Sequence, residues 1–290
     1  MSAIAYVTDS KMLELHRLNS HKTMNFWRLS NNINFSDFTE GDLVFFLSKD
    51  KEHRQKNEKG IVGFGRLVKF NIASVKKMWD TYGILNGYRT LDEFKEAIIR
   101  VSKDKKLPAK ISSFYLENVT FFQPVYLSEC GMKISNNIES YIYLKDEETV
   151  MKLLKIAHRS GDLWSDIGGN SEAIEKEEIL YALFSAHDKI GDINVSDKIY
   201  RRSHREIKKY GIEHPEYVYV RDSNNELYKL ENRKLDIVLY ADKAIDQRML
   251  AGQAAMYRQL IRKYCYSDVK IYFHTTDSNS ELEEMMNGGI

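Results

Sequence analysis

A glutamine and a tyrosine in the last third of the chain have the spacing best suited to joint chemistry. Gln253 and Tyr257 are four residues apart in a segment, 250–264, whose pattern predicts a helix. Residues four apart lie on one face of a helix, so both side chains can reach the same neighbouring surface. The strand-like runs before this helix carry acidic residues, and carboxylates are common ligands of Mg²⁺. A structural role stays open, in which both side chains form hydrogen bonds between helix and sheet.

The predicted order of the second half is helix, strands, helix and strand, which resembles the core of PD-(D/E)XK nucleases. In the RecB-like branch of that family a Gln-x-x-x-Tyr helix follows the catalytic strand, as Gln253 and Tyr257 do here. The resemblance implies an α/β domain with a central mixed sheet. It also implies that two carboxylates and a lysine hold Mg²⁺ and orient water for attack on phosphate.

The same resemblance assigns the metal ligands and the basic group. Glu216 stands where the family has the aspartate of Pro-Asp, and Glu231 stands where it has the acid of Glu-x-Lys. Arg233, or the neighbouring Lys234, replaces the lysine of the family. Arginine does not readily release a proton, so Arg233 could stabilise phosphate charge but could not act as a base.

A second register of the acidic residues also agrees with the sequence. It makes Asp236 a metal ligand with Asp242 or Asp268 as its partner, and Glu175 or Glu178 could add a further ligand. A solvated surface charge is the plain alternative for each of these acids. The expected catalytic residues are Glu216, Glu231, Arg233, Lys234, Asp236, Gln253 and Tyr257, with Glu216, Glu231 and Asp236 as the Mg²⁺ ligands.

The segment 198–209 predicts a strongly basic helix. Helical spacing places Arg201, Arg205 and Lys208 on one face and Arg202 on another. Cations arranged in this way neutralise a nucleic-acid backbone without reading its sequence. We predict backbone binding by these four residues, with a solvated helix face as the alternative.

The first half of the chain is rich in aromatic residues, which could sandwich an unstacked base. A Gly41-Asp42 turn before a hydrophobic strand, a glycine-rich strand at 60–66 and the run 79–88 follow one another. Together with Trp27, these segments resemble the front half of PUA-like, EVE-type domains, whose relatives often read modified bases. The resemblance implies an α+β domain built on a PUA-like β-barrel.

The same resemblance implies that aromatic residues frame a base pocket and that amide side chains test the edge of the base. The implied base-binding residues are Asn25, Trp27, Trp79, Tyr82 and Asn86. Tryptophan in a small barrel belongs more often to the core than to a pocket, so packing is the competing interpretation.

Length and charge both divide the chain. A length of 290 residues predicts two domains, and the stretch 159–171 is the best linker, which gives domains at 1–158 and 172–290. Residues 1–155 hold 24 lysines and arginines against 19 aspartates and glutamates, a charge of +5. The remainder holds 19 against 23, a charge of −4. The basic first half suits a polyanionic partner.

Several function classes find no support in the sequence. Neither an apolar run long enough for a membrane span nor a secretion signal occurs. Two cysteines, Cys130 and Cys265, do not make a disulfide framework or a metal cluster. We therefore expect a cytoplasmic protein without membrane contact. P-loop, dinucleotide and zinc-protease motifs are also absent.

Together these features predict a modification-dependent DNA endonuclease of the restriction and phage-defence type. Its first domain would recognise a modified, flipped base in double-stranded DNA, and its second would cut the backbone with Mg²⁺. A homodimer is expected, because one such nuclease domain cuts one strand. Two alternatives stay open: a non-enzymatic reader whose decayed nuclease fold serves dimerisation or partner binding, and a protein directed to RNA.

Overall fold

The computed structural model describes residues 2–30, 35–53, 58–132, 138–159, 170–191, 196–242, 245, 247–265, 268–277 and 279–288, with side chains left out at 49–53 and 170. The chain divides into two compact units, an N-terminal unit of Ser2–Glu175 and a C-terminal unit of Lys176–Ile290. Both units combine helices with a mixed sheet, so the fold is of the α+β type. Most of the predicted linker, from 160 to 169, lies outside the described residues.

The sheet of the N-terminal unit has six strands, in the order β2-β5-β4-β3-β1-β6. β1 and β3 pair in parallel, and the other neighbours pair antiparallel. Their bounds are β1 (Ala3–Thr8), β2 (Met24–Arg28), β3 (Leu43–His53), β4 (Glu58–Ala73), β5 (Ile111–Val125) and β6 (Tyr141–Tyr143).

This sheet is rolled around its own side chains. Four strand spacings separate β1 from β2, which would be roughly 19 Å across a flat sheet. The rings of Tyr6 on β1 and Phe26 on β2 nevertheless lie 5.1 Å apart. The same buried cluster, which we call the inner core, also contains Ile4 of β1, Phe46 of β3 and Phe114 of β5.

The α-helices described in the N-terminal unit before the helix at Asn170–Ile190 are α1 (Ser10–Leu18), α2 (Val75–Tyr82), α3 (Leu91–Val101) and α4 (Glu147–Arg159). α3 begins as its sequence predicts, since Thr90 accepts a hydrogen bond from the backbone N–H of Glu93 at 3.2 Å. Glu93 in turn accepts one from the backbone of Arg89 at 2.9 Å. α2 and α3 form a second hydrophobic cluster with β2 and β5, which we call the outer core. Tyr88, which follows a 3₁₀ turn at Gly83–Asn86, also belongs to it.

The C-terminal unit has a four-stranded sheet in the order β10-β9-β8-β7. β8 and β9 form an antiparallel hairpin, while β9 and β10 are parallel and are joined through α7. The bounds are α5 (Asn170–Ile190), α6 (Asp197–Glu213), β7 (Val218–Tyr219), β8 (Glu226–Glu231), β9 (Lys234–Leu239), α7 (Gln247–Tyr264), β10 (Lys270–Thr275) and α8 (Ser280–Asn287).

Local backbone geometry sets the ends of these elements. α6 continues past Gly211 to Glu213, and Gly211 packs close to Leu227 of β8. β7 is only two residues long. β8 and β9 are separate strands, because Asn232 and Arg233 turn the chain with positive φ angles of 48° and 62°.

Register divides the side chains of this sheet between two faces. Residues paired across antiparallel strands share a face, so Glu226 and Leu239 lie on one face and Lys229 and Asp236 on the other. Phe184 of α5 packs on the Glu226 face through Tyr228. Of the helices that the structure describes, none has the length and apolarity needed to cross a membrane.

Candidate functional site

Arg28 is a buried cation at the end of β2. Side chains alternate along a strand, so Arg28 shares a face with Met24 and Phe26, and both of these belong to the inner core. Only 6% of Arg28 is exposed. Buried arginine is rare, so its surroundings call for a functional explanation.

Aromatic rings surround the guanidinium of Arg28. Its central carbon lies 4.9 Å from the ring centres of both Phe35 and Phe114, and 5.6 Å from that of Tyr6. Tyr6 stacks on Tyr141 with ring centres 5.6 Å apart. Phe35 meets Tyr141 edge-on at 5.4 Å. We call these five residues the Arg28 cluster.

Burial sets the electrostatics of the Arg28 cluster. It lowers the pKa of Arg28, an effect that the neighbouring Tyr6 and Tyr141 partly oppose. Burial also raises the pKa of Tyr6, while the charge and hydrogen bond of Arg28 act in the opposite direction. Arginine stays charged in proteins, so the cluster holds a permanent cation among π-faces.

This arrangement can recognise a planar group with hydrogen-bond acceptors. A guanidinium offers a flat fork of donors that fits the paired acceptors of a base edge or a phosphate. Tyr6, Phe35 and Tyr141 are only partly buried, so the cluster extends to the surface. Arg28 was not among the predicted site residues; the available signal was the two-residue alternation of Met24, Phe26 and Arg28 along the strand.

The aromatic residues predicted to bind a base lie in or against the outer core. Trp27 precedes Arg28 and so points to the opposite face of β2. Trp27 and Trp79 both pack on Phe94, with ring centres 5.7 and 5.9 Å away. Tyr82 stacks on Tyr115 of β5 at 5.5 Å. The structure therefore gathers these residues, but in a packed arrangement.

The two predicted edge-reading amides bond to each other. Asn25 Nδ2 donates to Asn86 Oδ1 at 2.8 Å, and Asn86 Nδ2 donates to the carbonyl of Gly83 at 2.8 Å. Both residues are fully buried, and these bonds tie the 3₁₀ turn to β2. Asn25 Oδ1 and Trp27 Nε1 are buried and have no hydrogen-bond partner within the described part of the chain. Base binding by the predicted set stays a prediction.

The predicted Mg²⁺ ligands are dispersed over the C-terminal unit. Glu216 is exposed ahead of β7, and its Oε1 lies 4.0 Å from Nδ1 of His214. Glu231 is exposed at the hairpin end of β8, with Lys229 Nζ 3.3 Å away. Asp236 is buried on β9, where Lys234 Nζ lies 3.4 Å from it.

These residues do not fit a Mg²⁺ site. Among the described residues, no three histidine, cysteine, aspartate or glutamate side chains converge in a way that could hold a metal ion. The guanidinium of Arg233 is engaged elsewhere, because it forms a bidentate ion pair with Asp268 at 2.5 and 2.7 Å. No reaction step through a metal follows from this arrangement.

The predicted pair on α7 instead converges on Glu226, which was not among the predicted site residues. Gln253 Nε2 donates to Glu226 Oε1 at 2.5 Å, and the hydroxyl of Tyr257 donates to Glu226 Oε2. His187 Nδ1 of α5 lies 3.2 Å from Glu226 Oε2 and 2.7 Å from the Tyr257 hydroxyl. All four side chains are buried. We call them the Glu226 network.

The strand next to Glu226 offers it no second acid on the same face. β9 presents Leu235, Ile237 and Leu239 there, as the pairing register requires. Glu231 is five residues along β8 from Glu226, or roughly 17 Å. The Glu226 network is thus a buried hydrogen-bonded cluster that joins α5, α7 and β8.

The predicted backbone-binding residues on α6 divide into two groups. Arg202 is tied to Asp242, with Nη1 and Oδ2 2.6 Å apart, and this bond raises the pKa of Arg202. Arg201 and Arg205 line an open groove beside the helix. Lys208 is exposed.

Comparison with known proteins gives a structural likeness for about half the chain. No family model matches the chain, and no curated protein matches it. Solved structures that resemble it include ASCH from Zymomonas mobilis, at 14% identity and a TM-score of 0.38 over 53% of this chain and 94% of that one. A point mutant of the same ASCH protein is 13% identical, with a TM-score of 0.39 over 53% of this chain and 95% of that one. Values this low assign no function, which has to come from the chain's own residues.

Proposed function

We propose that the protein is a nucleic-acid reader whose N-terminal unit is a PUA-like domain that holds one unstacked base at the Arg28 cluster. One observation carries the proposal: a guanidinium is buried among aromatic rings that themselves extend to the surface. The donors of Arg28 would bind acceptors on the base edge, and Tyr6, Phe35 or Tyr141 would stack on the base. The charge of +5 over residues 1–155 favours a polyanion.

The finer identity of the ligand follows the sequence resemblance. We propose a modified base in double-stranded DNA, flipped out of the helix, as the preferred ligand. A flipped base exposes both its stacking face and its edge, which matches what the Arg28 cluster can contact. RNA is the competing ligand, and a direct comparison of the two decides between them.

The test is binding of labelled oligonucleotides to the full-length protein, followed by fluorescence anisotropy. DNA duplexes carrying single modified bases, their unmodified counterparts and RNA of the same sequence form the panel. Arg28→Met should weaken binding of the preferred ligand by roughly 5- to 150-fold, the value of a paired contact to a base edge. Arg89→Met is the matched control, because it removes an exposed arginine from the same unit.

Two further readouts keep this test decisive. Tryptophan fluorescence on heating shows whether Arg28→Met still folds, and Tyr141→Ala tests the same site through a partly exposed residue. Equal losses for Arg28→Met and Arg89→Met would refute a role for the Arg28 cluster. Tighter binding of RNA than of any DNA would refute the choice of DNA.

Phosphodiester cleavage by the C-terminal unit is a second candidate function. The observation that favours it is the meeting of Gln253 and Tyr257 at a shared acid, together with a strand order that suits a PD-(D/E)XK-like fold. Against it, the acid that they meet is buried and the predicted ligands lie elsewhere. Cleavage and the non-enzymatic alternative therefore both stay proposals.

Incubation of modified and unmodified duplexes with the protein and Mg²⁺ distinguishes the two functions. Cleavage that Glu226→Gln abolishes and Glu231→Ala leaves intact would establish a nuclease centred on Glu226. Cleavage lost with Glu231→Ala would instead support the ligands predicted by resemblance. Light scattering with and without DNA tests the proposed homodimer.

A further inference from the structure

An open groove runs beside α6 in the C-terminal unit. Its volume is about 870 Å³, and it lies between the first turns of the helix and the loop that precedes β8. His204 Nδ1 lies 3.2 Å from the carbonyl oxygen of Asn224, which joins the two walls. The lining residues are Asp197, Lys198, Tyr200, Arg201, His204, Arg205 and Asn224.

The cations of this groove are available to a ligand. Lys198, Arg201 and Arg205 are exposed, and within the described residues none of them forms an ion pair. Two other cations of the same helix are engaged, Arg202 with Asp242 and Lys209 with Glu213. The groove therefore has an excess of positive charge, reduced by the single carboxylate at its end.

An aromatic ring lies among these cations. Tyr200 is 36% exposed, and its hydroxyl is 3.5 Å from Nδ2 of Asn224. Tyrosine beside arginine provides the two contacts that unpaired nucleotides use, a face for base stacking and donors for phosphate. A duplex keeps its bases stacked inside and could use only the cations.

We propose that this groove, which we call the Tyr200 groove, binds single-stranded nucleic acid. Charge complementarity favours a polyanion, and the exposed ring selects a strand whose bases are free. The inference rests on the proposed function only in taking nucleic acid as the ligand. It adds a second nucleic-acid contact that does not depend on a modified base.

The experiment measures binding of an unmodified, labelled thymidine oligonucleotide to the full-length protein by fluorescence anisotropy. Tyr200→Ala should weaken binding by roughly 5- to 150-fold, the value of one stacked base. Replacing Arg201 and Arg205 together by glutamine should lower the slope of log affinity against log salt by about 1.4, or about 0.7 for each lost phosphate contact. Lys209→Gln removes one charge from a residue further along the helix that does not line the groove and is paired with Glu213, and it should change neither quantity.

Three outcomes would overturn the proposal. The first is equal affinity for a matched duplex, which would leave Tyr200 without a role. The second is equal weakening by Lys209→Gln, which would make the effect one of net charge. The third is displacement of the oligonucleotide by a polyglutamate peptide at the concentration at which unlabelled DNA also displaces it. That result would identify the groove as a site for acidic proteins.

Arg28→Met, tested on the same unmodified oligonucleotide, separates this proposal from the proposed function. Binding should be retained in that variant, because the probe carries no modified base. Loss of oligonucleotide binding in Tyr200→Ala, together with retained binding in Arg28→Met, supports the Tyr200 groove whatever the Arg28 cluster binds. Loss only with Arg28→Met refutes the Tyr200 groove and leaves the N-terminal site standing.

Discussion

The Glu226 network predicts a specific loss of stability when Tyr257 is replaced by phenylalanine. The Tyr257 hydroxyl donates to Glu226 and lies 2.7 Å from His187, and the whole side chain is inaccessible to solvent. Phenylalanine keeps the ring, including its contact with Phe273, and removes only the hydroxyl. We expect the C-terminal unit to lose about 1.5–3 kcal/mol of unfolding free energy, the typical value of a hydrogen bond to a charged group.

Hydrogen exchange of the full-length protein, followed by mass spectrometry, measures this loss. Trp27 and Trp79, the tryptophans that the structure describes, belong to the N-terminal unit, so a probe within α7 and β8 is needed. A loss of about 1.5–3 kcal/mol corresponds to roughly 10- to 150-fold faster exchange of amides that open with those elements. Tyr272→Phe is the control, since that tyrosine is 37% exposed on β10, and we expect a change of about 0.5 kcal/mol or less.

A second substitution tests the same reasoning from the acceptor side. Glu226→Gln places an amide against the donors of Gln253 and Tyr257, so it should accelerate exchange at least as much as Tyr257→Phe does. Unchanged exchange in both variants would show that the network contributes nothing to stability. The reasoning would then fail, and a functional role for these buried groups would become the better explanation.

Three further predictions concern the N-terminal unit. Burial lowers the pKa of His16 to about 3, so between pH 6.5 and pH 3 the unfolded chain binds more protons than the folded chain. The free energy of unfolding should therefore fall by a few kcal/mol as the pH is lowered through this range. His16→Leu should flatten this pH dependence in urea unfolding followed by tryptophan fluorescence. Gly87→Ala should destabilise the unit by about 1–3 kcal/mol in the same assay, because Gly87 has a φ of 88° and an added Cβ would lie 2.1 Å from Cγ of Met12. Asn86→Ala should cost about 1–3 kcal/mol by leaving Asn25 without its partner, and unchanged unfolding would show that the buried amide pair is not structural.

Local signals in the sequence predicted much of the fold. α3 carries its own start signal in Thr90 and Glu93, and the helix forms where they place it. Gln253 and Tyr257 face one surface because helical spacing alone fixes their relation. The first strand, β1, was missed, since its short run is defined by pairing with the distant β3 and β6.

The site residues depended on relations that spacing does not fix. Glu231 was chosen as a metal ligand, yet the hairpin register places it at the far end of β8 from α7, and Glu226 takes the position beside Gln253. Arg28 was missed next to Trp27 because both faces of β2 mix apolar and polar residues: Met24, Phe26 and Arg28 on one, Asn25 and Trp27 on the other. α2 and α3 cover one face of β2, and the opposite face therefore lies inside the rolled sheet. This packing is a tertiary relation that the spacing within β2 does not fix.

Photocrosslinking shows which residues touch the base that is read. A duplex that carries the modified base would be irradiated with short-wavelength ultraviolet light in complex with the protein, and the crosslinked peptide would be identified by mass spectrometry. We expect attachment at Tyr6, Phe35 or Tyr141, with loss of the crosslink in Arg28→Met. Attachment at Trp27 or Trp79 instead, unaffected by Arg28→Met, would contradict base binding at the Arg28 cluster and place the base in the outer core.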